Sequence, residues 1–295
     1  MKEVVDQITK KVFGVLPSSI EEIRGKGVVN LVCKVTVNCV DYILRMQKGG
    51  KALKTYQREK WCMDEVSKIN IPTPKCIAIG EEVGHSFSFQ EFIEGVDGRD
   101  LPKEAGRIWL TLGQYAKKFN AIPAPDCKFD LDYVDDKLFG DNFFQSAGVF
   151  SSEKLLSIKK RVNEVRSWQY APTLCHGNLH LSNVVVHPSG AIYLVDWGTS
   201  CGHRAPHGEL TDLFTWNTGK ENIAIFLKGY EYGESELAGA MRDIQTLVLI
   251  RLLVSLRWKM EGHSRKDETE FVRSTSKAVN EIADFDSKIL FSKNI

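Results

Sequence analysis

The stretch that decides the fold is His176-Gly177-Asn178-Leu179-His180-Leu181-Ser182-Asn183, followed by Val184-Val185-Val186, a turn at His187-Pro188-Ser189-Gly190, then Ile192-Tyr193-Leu194-Val195 and Asp196-Trp197. A polar loop presents Asn178 and Asn183. A tight hairpin then carries Asp196 back toward the start of its own first strand. The 13-residue gap between Asn183 and Asp196 brings a hydroxyl-orienting side chain and two oxygen ligands to one place. Magnesium takes hard oxygen ligands and needs only one or two from a protein when phosphates supply the rest. Phosphoryl transfer asks for that combination, with the nucleophile held in line.

Working outward, residues 4–14 predict an opening helix with Val4, Ile8 and Val12 on one face. Residues 28–37 and 40–47 predict a hairpin rich in valine, with Asn38 and Asp41 flanking its turn. A helix over 52–69 ends at Asn70 and the spaced Pro72 and Pro74. Two more strands follow at 76–80 and 86–90, joined by a turn at Glu81-Glu82-Val83-Gly84. The character then changes to helical. Helices are expected over 103–120, 152–170, 220–231, 237–260 and 267–290, with the lobe boundary near 92–97.

Composition excludes several classes. The 295 residues suffice for two lobes with their own cores, and 43% apolar with 26% charged residues is ordinary for a globular protein. A net charge of +1 gives no bias toward polyanions, and no nucleic-acid partner is expected. The N-terminus Met1-Lys2-Glu3-Val4-Val5-Asp6 lacks the apolar core of a signal peptide. The run Leu247-Val248-Leu249-Ile250 is too short to span a bilayer, so no membrane partner is expected. Seven cysteines without a CxxC pair point to reduced, mostly buried thiols and a cytoplasmic location.

The pattern His-Gly-X-Leu-His-X-X-Asn, a short hairpin, then hydrophobic-Asp-Trp resembles the aminoglycoside phosphotransferase and choline kinase group, small-molecule relatives of the protein kinases. The resemblance covers most of the chain. It implies an α+β, bilobal protein-kinase-like fold. Residues 1–93 would form a small antiparallel-sheet lobe with one helix, and 94–295 a larger, mostly helical lobe. It implies ATP or GTP with Mg²⁺ as cofactors and a small-molecule alcohol as substrate. Gly25-Lys26-Gly27-Val28-Val29-Asn30 resembles the loop that covers the nucleotide, which assigns Gly27 and Val28 to it, although its glycine pattern is degenerate. Arg45 resembles the basic residue of the third strand that meets the phosphates, with arginine where lysine is more familiar. Glu59 matches its acidic partner. Gln90, Glu91 and Phe92 resemble the hinge whose backbone binds the base. Asn183 and Asp196 match the metal ligands, and Asp212 resembles an aspartate that anchors the catalytic loop.

Taken without the family, several of these features have plainer readings. Gly25 and Gly27 equally fit an ordinary turn. Arg45 and Glu59 taken alone read as a surface pair rather than a catalytic one. His176 and His180 stand at i, i+4 but in a loop and without the glutamate of a zinc motif, so His176 reads as a loop buttress. His203 and His207 read as surface residues.

The departure from the family pattern is Asn178, where an aspartate is expected to accept the proton of the attacking hydroxyl. Asparagine keeps one acceptor oxygen but has no charge and takes up no proton. Three readings follow: a small-molecule kinase with a weak or different base, a nucleotide-binding pseudokinase, or an inactivated variant of a normal kinase. For the substrate, an aminoglycoside-like antibiotic comes first, with a role in antibiotic resistance. Choline or another amino alcohol comes next, then a sugar or an amino-acid alcohol such as homoserine. Asp130, Asp132, Asp135, Asp136, Asp141, Glu281, Asp284 and Asp286 can attract a cation, or simply be solvated. Trp197, Trp216, Tyr230 and Trp258 can cage a quaternary ammonium, or belong to the core.

Overall fold

The computed structural model describes residues 1–23, 31–50, 52–124, 136–203, 208–215, 218–261 and 268–283. The chain divides into two compact units, Met1–Ala105 with Leu181–Ser200, and Gly106–His180 with Cys201–Ile295. The hairpin that ends at Asp196 therefore packs with the first hundred residues.

In the first unit, helix α1 (Lys2–Phe13) ends on Gly14, whose φ of 76° is the left-handed conformation that stops a helix. Strands β1 (Ser19–Glu22), β2 (Leu31–Val37), β3 (Val40–Lys48), β4 (Cys76–Glu82) and β5 (His85–Glu91) form one antiparallel sheet in the order β1-β2-β3-β5-β4. Because strand side chains alternate, Cys33, Val35, Val37, Leu44, Met46, Phe87 and Phe89 share the face that buries Val5 and Ile8 of α1. Register pairs Arg45 with Val32 on one side and Ser88 on the other, and sets these residues on the opposite face. Helix α2 (Ala52–Lys68) buries Tyr56, Glu59, Cys62, Met63 and Val66 and contacts β4 and β5.

The β2–β3 turn is Asn38-Cys39, both at positive φ (50° and 64°), so it is a two-residue turn of the type that matches strand twist. Asp41 lies within β3 and pairs with Thr36. The β4–β5 turn is likewise only Val83-Gly84. Glu81 and Glu82, expected in that turn, extend β4, because a two-residue connection lets both strands pair to their ends. Strand β6 (Val96–Asp97) joins the hairpin of β8 (Val184–Val186) and β9 (Ile192–Leu194) in the order β6-β8-β9. The short strands β1 and β6 were not expected from sequence; four and two residues are too few to show a period of two.

The second unit contains α3 (Ala105–Phe119), α4 (Phe143–Ser146), α5 (Ser152–Asn163), α6 (Gly208–Thr215), α7 (Lys220–Tyr230), α8 (Glu234–Met260) and α9 (Glu268–Ala283). Strands β7 (Thr173–Cys175) and β10 (Cys201–His203) pair antiparallel. Ser151 caps α5, its hydroxyl accepting from Lys154 N–H. In α8, Ile244 through Ile250 are all buried, together with Leu252, Leu253 and Leu256. A helix buried on nearly every side is the centre of its unit, not an amphipathic cover. No helix among the described residues is long and apolar enough to cross a membrane.

Candidate active site

Three charged side chains of the first unit meet at the end of β9. Arg45, on β3, donates from Nη1 to Glu59 Oε1 on α2, and its Nη2 lies 3.2 Å from Asp196 Oδ1. The Glu59 side chain is 1% exposed and that of Arg45 12%, whereas Asp196 is half exposed at 49%. Arg45 and Glu59 are thus a buried pair and not a surface one. Burial pushes the Glu59 carboxyl above the ordinary range, and Arg45 pulls it back. Glu59 Oε2 is buried and has no hydrogen-bond partner. The Arg45 guanidinium also sits 5.8 Å from the Tyr56 ring centre.

Asp196 is held in an unusual backbone state, φ 61° and ψ 63°. The left-handed region is costly for most residues and tolerable for aspartate. Its neighbour Trp197 is fully buried, and the indole N–H donates to Thr73 Oγ1 at 3.0 Å and Leu194 O at 3.1 Å. Thr73 in turn donates to Leu194 O at 3.0 Å. Trp197 therefore nails down the backbone beside Asp196 and has no face left for a ligand. Gly198 follows; a Cβ there would stand 3.3 Å from Arg45 Nη2 and 3.4 Å from both Asp196 Oδ1 and Glu59 Oε1. Arg58 donates to Gly198 O at 3.0 Å. Asn183 is joined to this end of the hairpin through its carbonyl, which accepts from Val195 N–H at 2.9 Å.

In the second unit the loop carrying Asn178 is anchored from α6. The buried carboxylate of Glu209 accepts from His176 N–H. Burial, with Asp212 adding negative charge, pushes Glu209 up to about 8. Asp212 lies 3.5 Å from Arg251 Nε, and Arg251 Nη2 reaches Gly177 O at 3.4 Å. Glu209, three residues before Asp212, thus receives a loop N–H, and Asp212 stands beside Arg251, which reaches the same loop. The signal available in sequence was an acidic residue entering an apolar stretch, Glu209-Leu210, which a solvated helix start shares. Below the loop, Asn120 donates to Leu174 O at 2.8 Å and accepts from Tyr230 OH at 3.1 Å.

At the expected hinge, Gln90 is buried and its amide reaches Ser88 Oγ at 3.4 Å. Glu91 N–H donates to Lys75 O at 2.9 Å, so that N–H is committed to the strand. The Phe92 ring lies 4.7 Å under Lys34 Nζ. Gly27 and Val28 lie outside the described residues, as do Asp130, Asp132, Asp135, His207, Trp216, Asp284, Asp286 and the side chains of His203 and Glu281. Asp141 is paired with Arg257, which donates to it from Nη1 at 2.9 Å and Nη2 at 2.5 Å.

The oxygen donors fit a metal carried by phosphates. Asp196 offers a half-exposed carboxylate. Among the described residues no group of three His, Cys, Asp or Glu can hold a metal unaided. A site with so few protein ligands suits Mg²⁺ bound with a nucleotide.

The fold is that of the protein-kinase-like small-molecule kinases. The structure aligns with an aminoglycoside phosphotransferase, APH(4)-Ia, at a TM-score of 0.68 and 16% identity over 94% of this chain and 96% of that one. It aligns with the GDP and kanamycin complex of APH(2'')-IIIa at 0.66 and 15%, over 93% and 96%. A protein of Haemophilus somnus put forward as a fructosamine-3-kinase aligns at 0.65 and 14%, over 96% and 97%. No curated protein matches the sequence. The model of the phosphotransferase enzyme family matches residues 20–242, and the chain belongs to that family.

Proposed function

We propose that this chain transfers a phosphoryl group from ATP or GTP, with Mg²⁺, to a hydroxyl of a small molecule. The observation that carries the reading is the Arg45, Glu59 and Asp196 cluster on the first unit, with Asn183 tied to the same hairpin end. Arg45 would hold nucleotide phosphates, Asp196 and Asn183 would hold the metal, and Gly27, Val28, Gln90, Glu91 and Phe92 would surround the base and phosphates. The metal, when bound, neutralises charge on the transferring group. Asn178 would orient the acceptor hydroxyl through its amide oxygen without taking the proton.

Solved structures of the same fold carry ADP with hygromycin B and GDP with kanamycin, which supports an aminoglycoside-like acceptor and leaves choline-type and homoserine-type alcohols as alternatives. Against a strongly cationic substrate stands the pairing of Asp141 with Arg257 and of Glu261 with Lys137 at 3.0 Å, which neutralises acidic groups of the second unit. The thiols of Cys33, Cys62, Cys76 and Cys175, all buried, fit a cytoplasmic protein.

Asn178 favours a second reading, a nucleotide-binding pseudokinase. Nucleotide consumption by the chain and by Asn178→Asp, against a panel of aminoglycosides, choline, sugars and homoserine, separates the two. Restoring the carboxylate is expected to raise turnover by about 10²–10⁴-fold, the usual worth of a general base. If neither protein shows acceptor-dependent turnover, the kinase reading fails. If nucleotide with Mg²⁺ leaves the melting temperature unchanged, the pseudokinase reading fails as well.

A further inference from the structure

Helix α8 is buried from Ile244 through Ile250, and Arg251 is the charge that follows. Its guanidinium is held on two sides. Nε lies 3.5 Å from Asp212 Oδ1 on α6, and Nη2 donates to Gly177 O at 3.4 Å. Gly177 directly precedes Asn178, and consecutive Cα atoms are about 3.8 Å apart. The guanidinium is thus bonded to the loop one residue from the side chain that would orient the acceptor hydroxyl. The charges here differ in exposure. The Asp212 side chain is 5% exposed and that of Arg251 33%. Glu209 is buried, and burial with Asp212 beside it pushes its carboxyl up to about 8, so it is mostly uncharged at neutral pH. Asn178 adds no charge of its own. The charge that solvent meets among these residues is therefore the guanidinium.

We propose that Arg251 selects acceptor alcohols that carry an anionic group, a carboxylate or a phosphate, and binds that group while Asn178 faces the hydroxyl. This rests on the phosphotransfer reading above and moves its order of acceptors away from amine-rich molecules. A guanidinium carries five N–H donors and binds carboxylate and phosphate oxygens through charge-assisted hydrogen bonds. With Asp212 at Nε and the Gly177 carbonyl at Nη2, the side chain is fixed before any ligand arrives, so little rotamer freedom is lost on binding. An aspartate at 178 would repel an anion seated one residue away. Asparagine keeps the acceptor oxygen and removes that repulsion. An amine-rich acceptor meets a like charge there instead. The neutral Asn178 and the part-exposed guanidinium favour the same class of substrate.

The test uses acceptors matched in skeleton and differing in charge. One set is glucose, glucosamine, glucuronate and glucose 6-phosphate; the other is glycerol, serinol, glycerate and glycerol 3-phosphate. Binding to the full chain with ATP or GTP and Mg²⁺ is read from the melting temperature, and turnover from nucleotide consumption. An anionic member is expected to bind about tenfold more tightly than its neutral counterpart, the low end for a hydrogen bond to a charged group, and the amino member more weakly. Arg251→Gln is expected to remove that preference and leave the neutral members unchanged. Should Arg251→Gln fail to fold, Asn178→Asp supplies the check: affinity for anionic members falls about fivefold, the size of one charge–charge contact in water, while that for neutral members stays. A preference confined to the carboxylates or to the phosphates supports the proposal and names the group. Binding of no anionic member, no preference over the neutral ones, or a preference that persists in Arg251→Gln overturns the proposal alone. A wild type that binds neither ATP nor GTP with Mg²⁺ overturns the phosphotransfer reading, and the proposal with it.

Discussion

One atom separates Asn178 from an aspartate, and that atom carries charge rather than shape. The loop is held through the neighbours of Asn178: Glu209 takes the His176 N–H and Arg251 reaches the Gly177 carbonyl. Arg45 illustrates the reverse, a buried residue whose charge is opposed by burial and upheld by Glu59 and Asp196. Removing one member of a buried ion pair leaves the other uncompensated, so Arg45→Met is expected to destabilise by about 3–5 kcal/mol. Adding Glu59→Leu should recover most of that loss, as apolar replacements of buried pairs commonly do. Denaturant midpoints of the single and double variants check this. A double variant no more stable than Arg45→Met would show that the pair does not set the cost.

Among the elements, the packing of α3 against α7 is the most demanding. A Cβ on Gly229 would lie 2.1 Å from Leu110 O, and one on Gly113 2.2 Å from Phe226 O. The two helices meet backbone to backbone at glycines, and Trp109 and Phe226 fill the flank edge to face. Gly229→Ala must push the helices apart, and overpacking of this kind costs typically about 1–3 kcal/mol. Urea unfolding should show a loss in that range. A neutral result would mean that the helices separate freely. At the β2–β3 turn, by contrast, the left-handed Cys39 is a local compromise: asparagine followed by glycine is the favoured pair there, and the chain has Asn38-Cys39. The turn was legible from the valine-rich alternation on each side. The glycine contacts of α3 and α7 were not, because the helical period says which face is apolar and nothing about how close a partner comes.

For the molecule as a whole, stability should depend on pH through Glu209. Its folded value of about 8 lies above the ordinary carboxylate value, so the folded protein binds more protons than the unfolded chain between those limits. The contribution is fully present below about pH 4.5 and is lost as pH rises through about 8, a sum on the order of a few kcal/mol. Glu209→Gln keeps an oxygen for His176 N–H and removes the titration. Wild-type stability is therefore expected to fall relative to Glu209→Gln between pH 5 and 8, read from denaturant midpoints at several pH values. Parallel pH profiles would show that Glu209 stays ionised in the folded state. The chain's division into units has the same non-local character. Leu181–Ser200 leaves the sequence neighbourhood of residues 106–180 to pack with the first hundred residues.

The sequence by itself determined the family and most of the strands and helices, and it singled out Asn178, Asn183 and Asp196 as candidates, because these follow from local spacing and side-chain chemistry. Asp212 as anchor was legible only by resemblance. The tertiary structure decided that Glu209 takes the loop N–H, that Arg45 joins Glu59 to Asp196, and that Asp141 is neutralised by Arg257. Each of these pairs residues from distant parts of the chain. Charge and burial there depend on which elements meet, and a one-dimensional pattern carries no distance between residues 14, 33 or 116 positions apart.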